Sequence, residues 1–188
     1  EQPYLKDIIP LPFGINSSYI KYKAGQRKDI DFSCIFGQDH RPPLRRFVRD
    51  ALVDFCKKNG FSCAVNKTAT PEEFYDILAR SKVGVSVSGG GFDTLRFWES
   101  LGNNCMLITE RIDIFKPDDN CLDYKRIYQF NNLNDFQYQL EKVGKFLREG
   151  YDQADLEPEY HAIIERHGSK ARALTVLQES ERAIKTSM

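Results

Sequence analysis

Val83-Gly84-Val85-Ser86-Val87-Ser88-Gly89-Gly90-Gly91-Phe92-Asp93-Thr94-Leu95-Arg96-Phe97-Trp98-Glu99 is the stretch whose reading decides the fold. Its first five residues form a short, valine-rich run that predicts a buried strand. From about Phe92 to Leu101 the spacing is helical, and Gly102-Asn103 ends it. A strand that turns through three glycines into a helix is half of a repeating α/β unit. Such a turn leaves backbone N–H groups uncovered at a helix N-terminus. The helix dipole adds partial positive charge there, so the place suits an anionic group such as phosphate.

The same alternation extends to both sides. Ile30, Phe32, Cys34 and Phe36 recur at period two and end at Gly37, which predicts a first strand. Leu44, Phe47, Val48, Ala51, Leu52, Phe55 and Cys56 follow at helical spacing, stopped by Asn59-Gly60. Phe61 to Val65 predicts a second strand. Thr70-Pro71-Glu72-Glu73 then starts a helix, with Thr at the cap, Pro in the first turn and Glu three positions on. Cys105 to Thr109 and Arg126 to Phe130 predict a fourth and a short fifth strand. Asn134 with Gln137 opens a helix carrying Phe136, Leu140, Val143 and Leu147. From about Pro158 the chain reads as helical and polar, with Ile163, Ile164, Leu174 and Leu177 as an apolar stripe.

The expected architecture is α/β: a Rossmann-like parallel sheet of about five strands with helices on both faces, plus C-terminal helices. Residues 1–28, broken by Pro3, Pro10, Pro12 and Gly14, read as an opening segment. Residues 29–150 read as the Rossmann-like domain and 151–188 as a helical extension of it. Ligands of such sheets sit at the carboxyl ends of the strands. Three loops fall there: Gly37 to Arg41, Ser88 to Asp93, and Thr109 to Asp113.

Composition narrows the partners. The 188 residues suit one domain. Twenty-seven basic and 27 acidic residues leave no net charge, so no global grip on nucleic acid is expected. No apolar run approaches the roughly 18 residues of a transmembrane segment. The cysteines number five, an odd count without metal-ligand spacing, and read as buried thiols in a reducing, cytoplasmic setting. A longer polypeptide could still associate peripherally with a membrane. The chain opens on Glu1 rather than Met, which reads as a piece of a longer protein.

The candidate binding residues are Gly89, Gly90, Gly91, Asp93, Thr94, Arg96 and Glu99, with Gly37 and Arg41 from the first loop. The glycines either form a plain turn or let a phosphate approach the backbone. Arg96 and Glu99 share a helix face at i, i+3. They form either an intrahelical ion pair of about 0.2–0.5 kcal/mol or a ligand grip. In the second case Arg96 meets a diphosphate and Glu99 the hydroxyls of a ribose. Asp93 and Thr94 either cap the helix or contact the ligand. Phe97 and Trp98 read as core rather than as a base-stacking platform. Arg45 and Arg46 read either as a solvated helix start or as basic side chains that reach a diphosphate, and His40 either as an exposed residue or as a base. No Ser/His/Asp or Cys/His set and no acid–base carboxylate pair stands out, so no catalytic residue is assigned.

Gly89-Gly90-Gly91-Phe92-Asp93-Thr94-Leu95-Arg96-Phe97-Trp98-Glu99, followed by Gly102 and Met106-Leu107-Ile108-Thr109, resembles the carboxyl-terminal half of GT-B glycosyltransferases. Pro10-Leu11-Pro12-Phe13-Gly14-Ile15 is similar to the segment leading into that half, and the late helices with His161, Arg166 and Arg172 to its ending. The resemblance implies a donor domain that binds a nucleoside diphosphate sugar, with Glu99 on the donor ribose. It implies no metal or other cofactor, because side-chain cations and helix N-termini neutralise the leaving diphosphate. Many retaining members carry a further Glu eight positions earlier. Gly91 stands there in this chain, which argues against a retaining mechanism of that kind. The resemblance also implies a separate amino-terminal domain for a glycan or lipid acceptor, without which the donor half turns over poorly.

A second similarity points elsewhere. Asp29-Ile30-Asp31-Phe32-Ser33, a helix, and then Trp98-Glu99 loosely resemble a TIR-type module, a flavodoxin-like interaction or NAD-cleaving domain, although the triple glycine is not typical of it. A ligand-free structural α/β domain is the third reading.

Overall fold

A computed structural model describes residues 9–36, 43–68, 70–91, 93–114 and 122–187. Gly37, His40, Arg41, Phe92 and Cys121 lie outside the described residues. Five parallel strands, β1 (Ile30–Ser33), β2 (Cys63–Ala64), β3 (Ser81–Ser86), β4 (Met106–Glu110) and β5 (Ile127–Phe130), form one sheet in the order β2-β1-β3-β4-β5. Among the described residues six α-helices accompany them: α1 (Pro43–Asn59), α2 (Pro71–Arg80), α3 (Leu95–Gly102), α4 (Leu133–Glu149), α5 (Gln153–His167) and α6 (Ser169–Ser187). The expected α/β class, strand number and C-terminal helices are all present.

Both sheet faces are covered. Phe32, Val83, Val85, Met106 and Ile108 pack with Val48 and Leu52 of α1 and with Phe136, Leu140 and Val143 of α4. On the other face Leu107 meets Phe97, Trp98 and Leu101 of α3 and Ile163 of α5. Phe97 and Trp98 are buried, as expected. Gly84 of β3 lets α3 approach the sheet, since a Cβ there would stand 2.5 Å from Ser100 Oγ.

Several boundaries shift for identifiable reasons. Cys34 and Phe36 remain buried, but the ladder of β1 stops at Ser33. The α2 start is as read: Thr70 and Glu73 form a reciprocal capping box with Pro71 in the first turn. The α4 cap is Asn132 rather than Asn134, its side chain accepting from Asp135 N at 3.0 Å. Helix α5 begins at Gln153 because Asp152 caps Ala154 N at 2.8 Å, leaving Pro158 inside the helix. The expected apolar stripe divides: Ile163 is buried, whereas Leu177 of α6 is 61% exposed and Leu174 is exposed as well.

The opening segment folds onto the domain through Ile15. Ile15 is buried, and its backbone bridges that of the α5–α6 junction: Ile15 N–H donates to His167 O at 2.8 Å, and Ser169 N–H donates to Ile15 O at 3.0 Å. At the amino end of the sheet, buried Lys28 donates to Ser81 O and Asn103 O, each at 2.8 Å. Buried Arg126 donates to Glu159 Oε2 at 2.8 Å, to Asn104 Oδ1 at 2.6 Å and to Leu156 O. These cations replace water with fixed acceptors, which is the condition for burying charge.

Candidate functional site

The strand order fixes where a ligand can enter. From β1 the chain crosses to β2 on one side, and from β3 to β4 on the other, so the loops after β1 and β3 diverge. A cleft of about 290 Å3 opens at that divergence, lined by Phe36, Arg45, the three glycines, Asp93 to Arg96, and Glu99. Every described residue of the predicted set therefore borders one cavity: Gly89, Gly90, Gly91, Asp93, Thr94, Arg96 and Glu99. Gly37 and Arg41 of that set fall outside the described residues.

The glycine turn is held from three directions. Ser88 N–H donates to Glu110 Oε2 at 3.0 Å, at the end of β4. Gly89 N–H donates to Gly91 O at 3.1 Å. Arg45, from the first turn of α1, donates from Nε to Ser88 O at 3.1 Å and from Nη2 to Val87 O. A Cβ on Gly89 would stand 2.4 Å from Arg45 Nη2, whereas one on Gly90 or Gly91 would meet nothing within 4 Å. The first glycine thus makes room for an arginine, and the other two stand open. The expectation of a merely solvated helix start does not hold for Arg45, which braces the turn and lines the cleft. Arg46 is exposed, its guanidinium 5.5 Å from the Phe47 ring.

Neither expected cap works as a cap. Thr94 occupies the N-cap position of α3 without a side-chain capping bond, and its Oγ1 lies 3.0 Å from Ser86 Oγ. Asp93 accepts from Phe13 N–H at 2.6 Å and from Trp98 Nε1 at 2.8 Å. Both side chains serve the scaffold while facing the cleft.

Arg96 and Glu99 sit side by side, with Nε 3.7 Å from Glu99 Oε2. Their setting comes from α2. The Phe74 ring lies 3.8 Å from the Arg96 guanidinium carbon, and Tyr75 Oη donates to Glu99 Oε1 at 3.1 Å. Tyr75 in turn stacks on Tyr19, with centroids 5.3 Å apart. Glu99 is only 6% exposed. Burial pushes its carboxyl above the usual value, while Arg96 and the Tyr75 hydroxyl pull it back. Burial and the neighbouring Glu99 push the Tyr75 hydroxyl up to about 12. Arg96 Nε and Nη1 are shielded from solvent and have no hydrogen-bond partner among the described residues. Shielded donors without acceptors are costly, and a guanidinium matches the paired oxygens of a phosphate or carboxylate.

Sequence reasoning missed Phe74 and Tyr75. Nothing along the chain signals that α2 lies against the charged face of α3. Among the described residues no group of three or more His, Cys, Asp or Glu is gathered in a way that could hold a metal ion. No helix among them is long and apolar enough to cross a membrane.

No protein-family model matches this chain, and no curated protein sequence matches it. Among solved structures, a chain in the crystal structure of the GtfA/B complex resembles it in backbone, with a TM-score of 0.56 and 13% sequence identity over 91% of this chain. The likeness covers 38% of that chain, so the present sequence spans less than two-fifths of its length. At this identity the similarity is one of fold. It agrees with the Rossmann-like α/β architecture expected from the sequence.

Proposed function

We propose that this chain is the donor-binding half of a GT-B glycosyltransferase, taking a nucleoside diphosphate sugar in the cleft between the β1 and β3 loops. The observation that carries the reading is the Arg96–Glu99 pair: a shielded guanidinium with two nitrogens that no described residue satisfies, beside a desolvated carboxylate under an open glycine turn. Arg96 and the Gly90–Gly91 backbone receive the diphosphate, and Glu99 accepts hydrogen bonds from the ribose diol. At about 290 Å3 the cleft is near the lower end of the roughly 300–1,000 Å3 of ordinary ligand sites, room enough for the diphosphate and ribose. The transferred sugar then lies at the open mouth, where a separate acceptor-binding domain faces it. Transfer to a glycan or lipid acceptor requires that second domain. Neutralisation of the leaving diphosphate falls to Arg96, the turn and the α3 N-terminus.

Calorimetric titration with UDP-, GDP- and dTDP-sugars tests the reading. One nucleotide class should bind, and Glu99→Ala should weaken it at least tenfold, the equivalent of about 1.4 kcal/mol. Undiminished binding in that variant sinks the assignment. The strand order β2-β1-β3-β4-β5 is also that of flavodoxin-like sheets, which keeps a TIR-like, NAD-binding module as the second reading. Binding of NAD in place of every sugar nucleotide selects it.

A further inference from the structure

We propose that Tyr75 is a positioning residue for this cleft: its hydroxyl, donated to Glu99 Oε1, holds the carboxylate so that Oε2 remains beside Arg96 to meet a ligand's paired hydroxyls. The inference rests on the ribose role given to Glu99 above.

Three observations carry it. First, Glu99 is almost wholly shielded, and Tyr75 Oη is the hydrogen-bond donor that the described residues offer its side chain. The Arg96 nitrogen, at 3.7 Å, is beyond hydrogen-bond reach. A desolvated carboxylate without a donor rotates or takes up a proton. Second, the hydroxyl is placed in advance. The Tyr75 ring is stacked on Tyr19 at an interplanar angle of 22° and packed against Phe74 at 5.2 Å, and the capping box fixes the start of α2. Third, the preceding residue, Phe74, underlies Arg96. Two consecutive residues of α2 therefore order the two charged residues of α3.

The titratable and charged groups around Glu99 are Arg96 on its own helix, Tyr75 from α2, and Tyr19 behind Tyr75. Arg45 from α1 and Cys34 after β1 act on Arg96 rather than on Glu99 directly. Removal of the Tyr75 donor takes away a group that favours the ionised carboxylate, so Glu99 should then hold its proton to higher pH.

Tyr75→Phe keeps the ring and its stack on Tyr19 and deletes only the hydroxyl. Two measurements read the effect. One follows the Glu99 carboxyl carbon by NMR against pH in the ligand-free chain, with the signal assigned by its loss in Glu99→Gln. The other titrates the chain with UDP and with GDP across the acid range. In Tyr75→Phe the Glu99 midpoint should move up, nucleotide affinity at pH 7 should fall about three- to tenfold, and the acid loss of affinity should begin at higher pH. An unmoved midpoint together with unmoved affinity overturns the positioning role. If Glu99→Gln weakens nucleotide binding while Tyr75→Phe changes neither readout, the tyrosine role fails and the ribose reading stands. If the unaltered chain binds neither nucleotide, or Glu99→Gln binds as well as the unaltered chain, both fall together.

Discussion

Phe13 and Asp93, 80 residues apart along the chain, are joined by a 2.6 Å hydrogen bond from the Phe13 backbone N–H to Asp93 Oδ2. The other carboxylate oxygen accepts from Trp98 Nε1. A residue at the rim of the cleft thus ties the glycine turn to the opening segment and to the core of α3. Asp93→Ala leaves both donors without this acceptor and should cost about 1–3 kcal/mol of stability. Urea unfolding followed by the fluorescence of Trp98, the chain's single tryptophan, checks this. An unshifted midpoint would show that the two bonds carry little.

Gly89 and Gly90 should part company under the same substitution. Gly89→Ala drives a methyl group into Arg45 Nη2 and displaces the guanidinium from the Val87 and Ser88 carbonyls, a loss of about 0.5–1.5 kcal/mol. Gly90→Ala meets open space and should change stability by no more than about 0.5 kcal/mol. Paired thermal melts of the two variants decide the matter.

Phe74→Leu keeps an apolar side chain at α2 but removes the aromatic face beneath Arg96. A shielded cation–π contact of this kind is worth up to about 2 kcal/mol. Stability should fall by roughly that amount, and UDP or GDP affinity should fall with it, because the guanidinium loses its platform. A variant that is destabilised yet binds as before would confine Phe74 to packing.

The Glu99 carboxyl makes a pH prediction with a defined sign. Its folded-state value is raised by burial, so between the ordinary value of 4.5 and that raised value the native state holds more protons than the unfolded one. Stability contributed by this group is therefore present below pH 4.5 and is lost as the pH rises through the folded-state value. Glu99→Gln removes the ionisation. Its melting temperature relative to the unaltered chain should be higher at pH 7 than at pH 4, while nucleotide binding becomes weaker. A difference independent of pH contradicts the sign.

The elements that were legible in the sequence were those written in local chemistry. Valine-rich runs gave β3, the Thr70-Pro71-Glu73 signature gave the start of α2, and helical spacing gave α1 and α4. The start of α4 was displaced because Asn132 caps as well as Asn134 and local pattern cannot rank such neighbours; that of α5 was displaced because Pro158, read near a helix start, lies inside the helix that Asp152 caps. Of the candidate cleft, the lining from α3 and its turn was legible. The bracing role of Arg45 and the part played by Tyr75 were missed because both act across the fold: one reaches from α1 to the turn, the other from α2 to α3. Asp93 shows the same limit. A cap is a local idea, and its true donors, Phe13 N–H and Trp98 Nε1, become neighbours only in the folded chain.

The backbone bridge between Ile15 and the α5–α6 junction closes a loop of more than 150 residues, with Ser169 Oγ reinforcing it on Ile15 O. Such a contact adds sequence separation to a sheet whose parallel pairings are already non-local, and topologies of that kind fold slowly. During synthesis, which runs from the amino end, the strip around Ile15 leaves the ribosome long before its partner exists. Gly14 and Ile15 must therefore wait, unpaired, while the sheet assembles, and they dock only when His167 to Ser169 arrive. The finished fold pairs two stretches of backbone that are synthesised far apart in time.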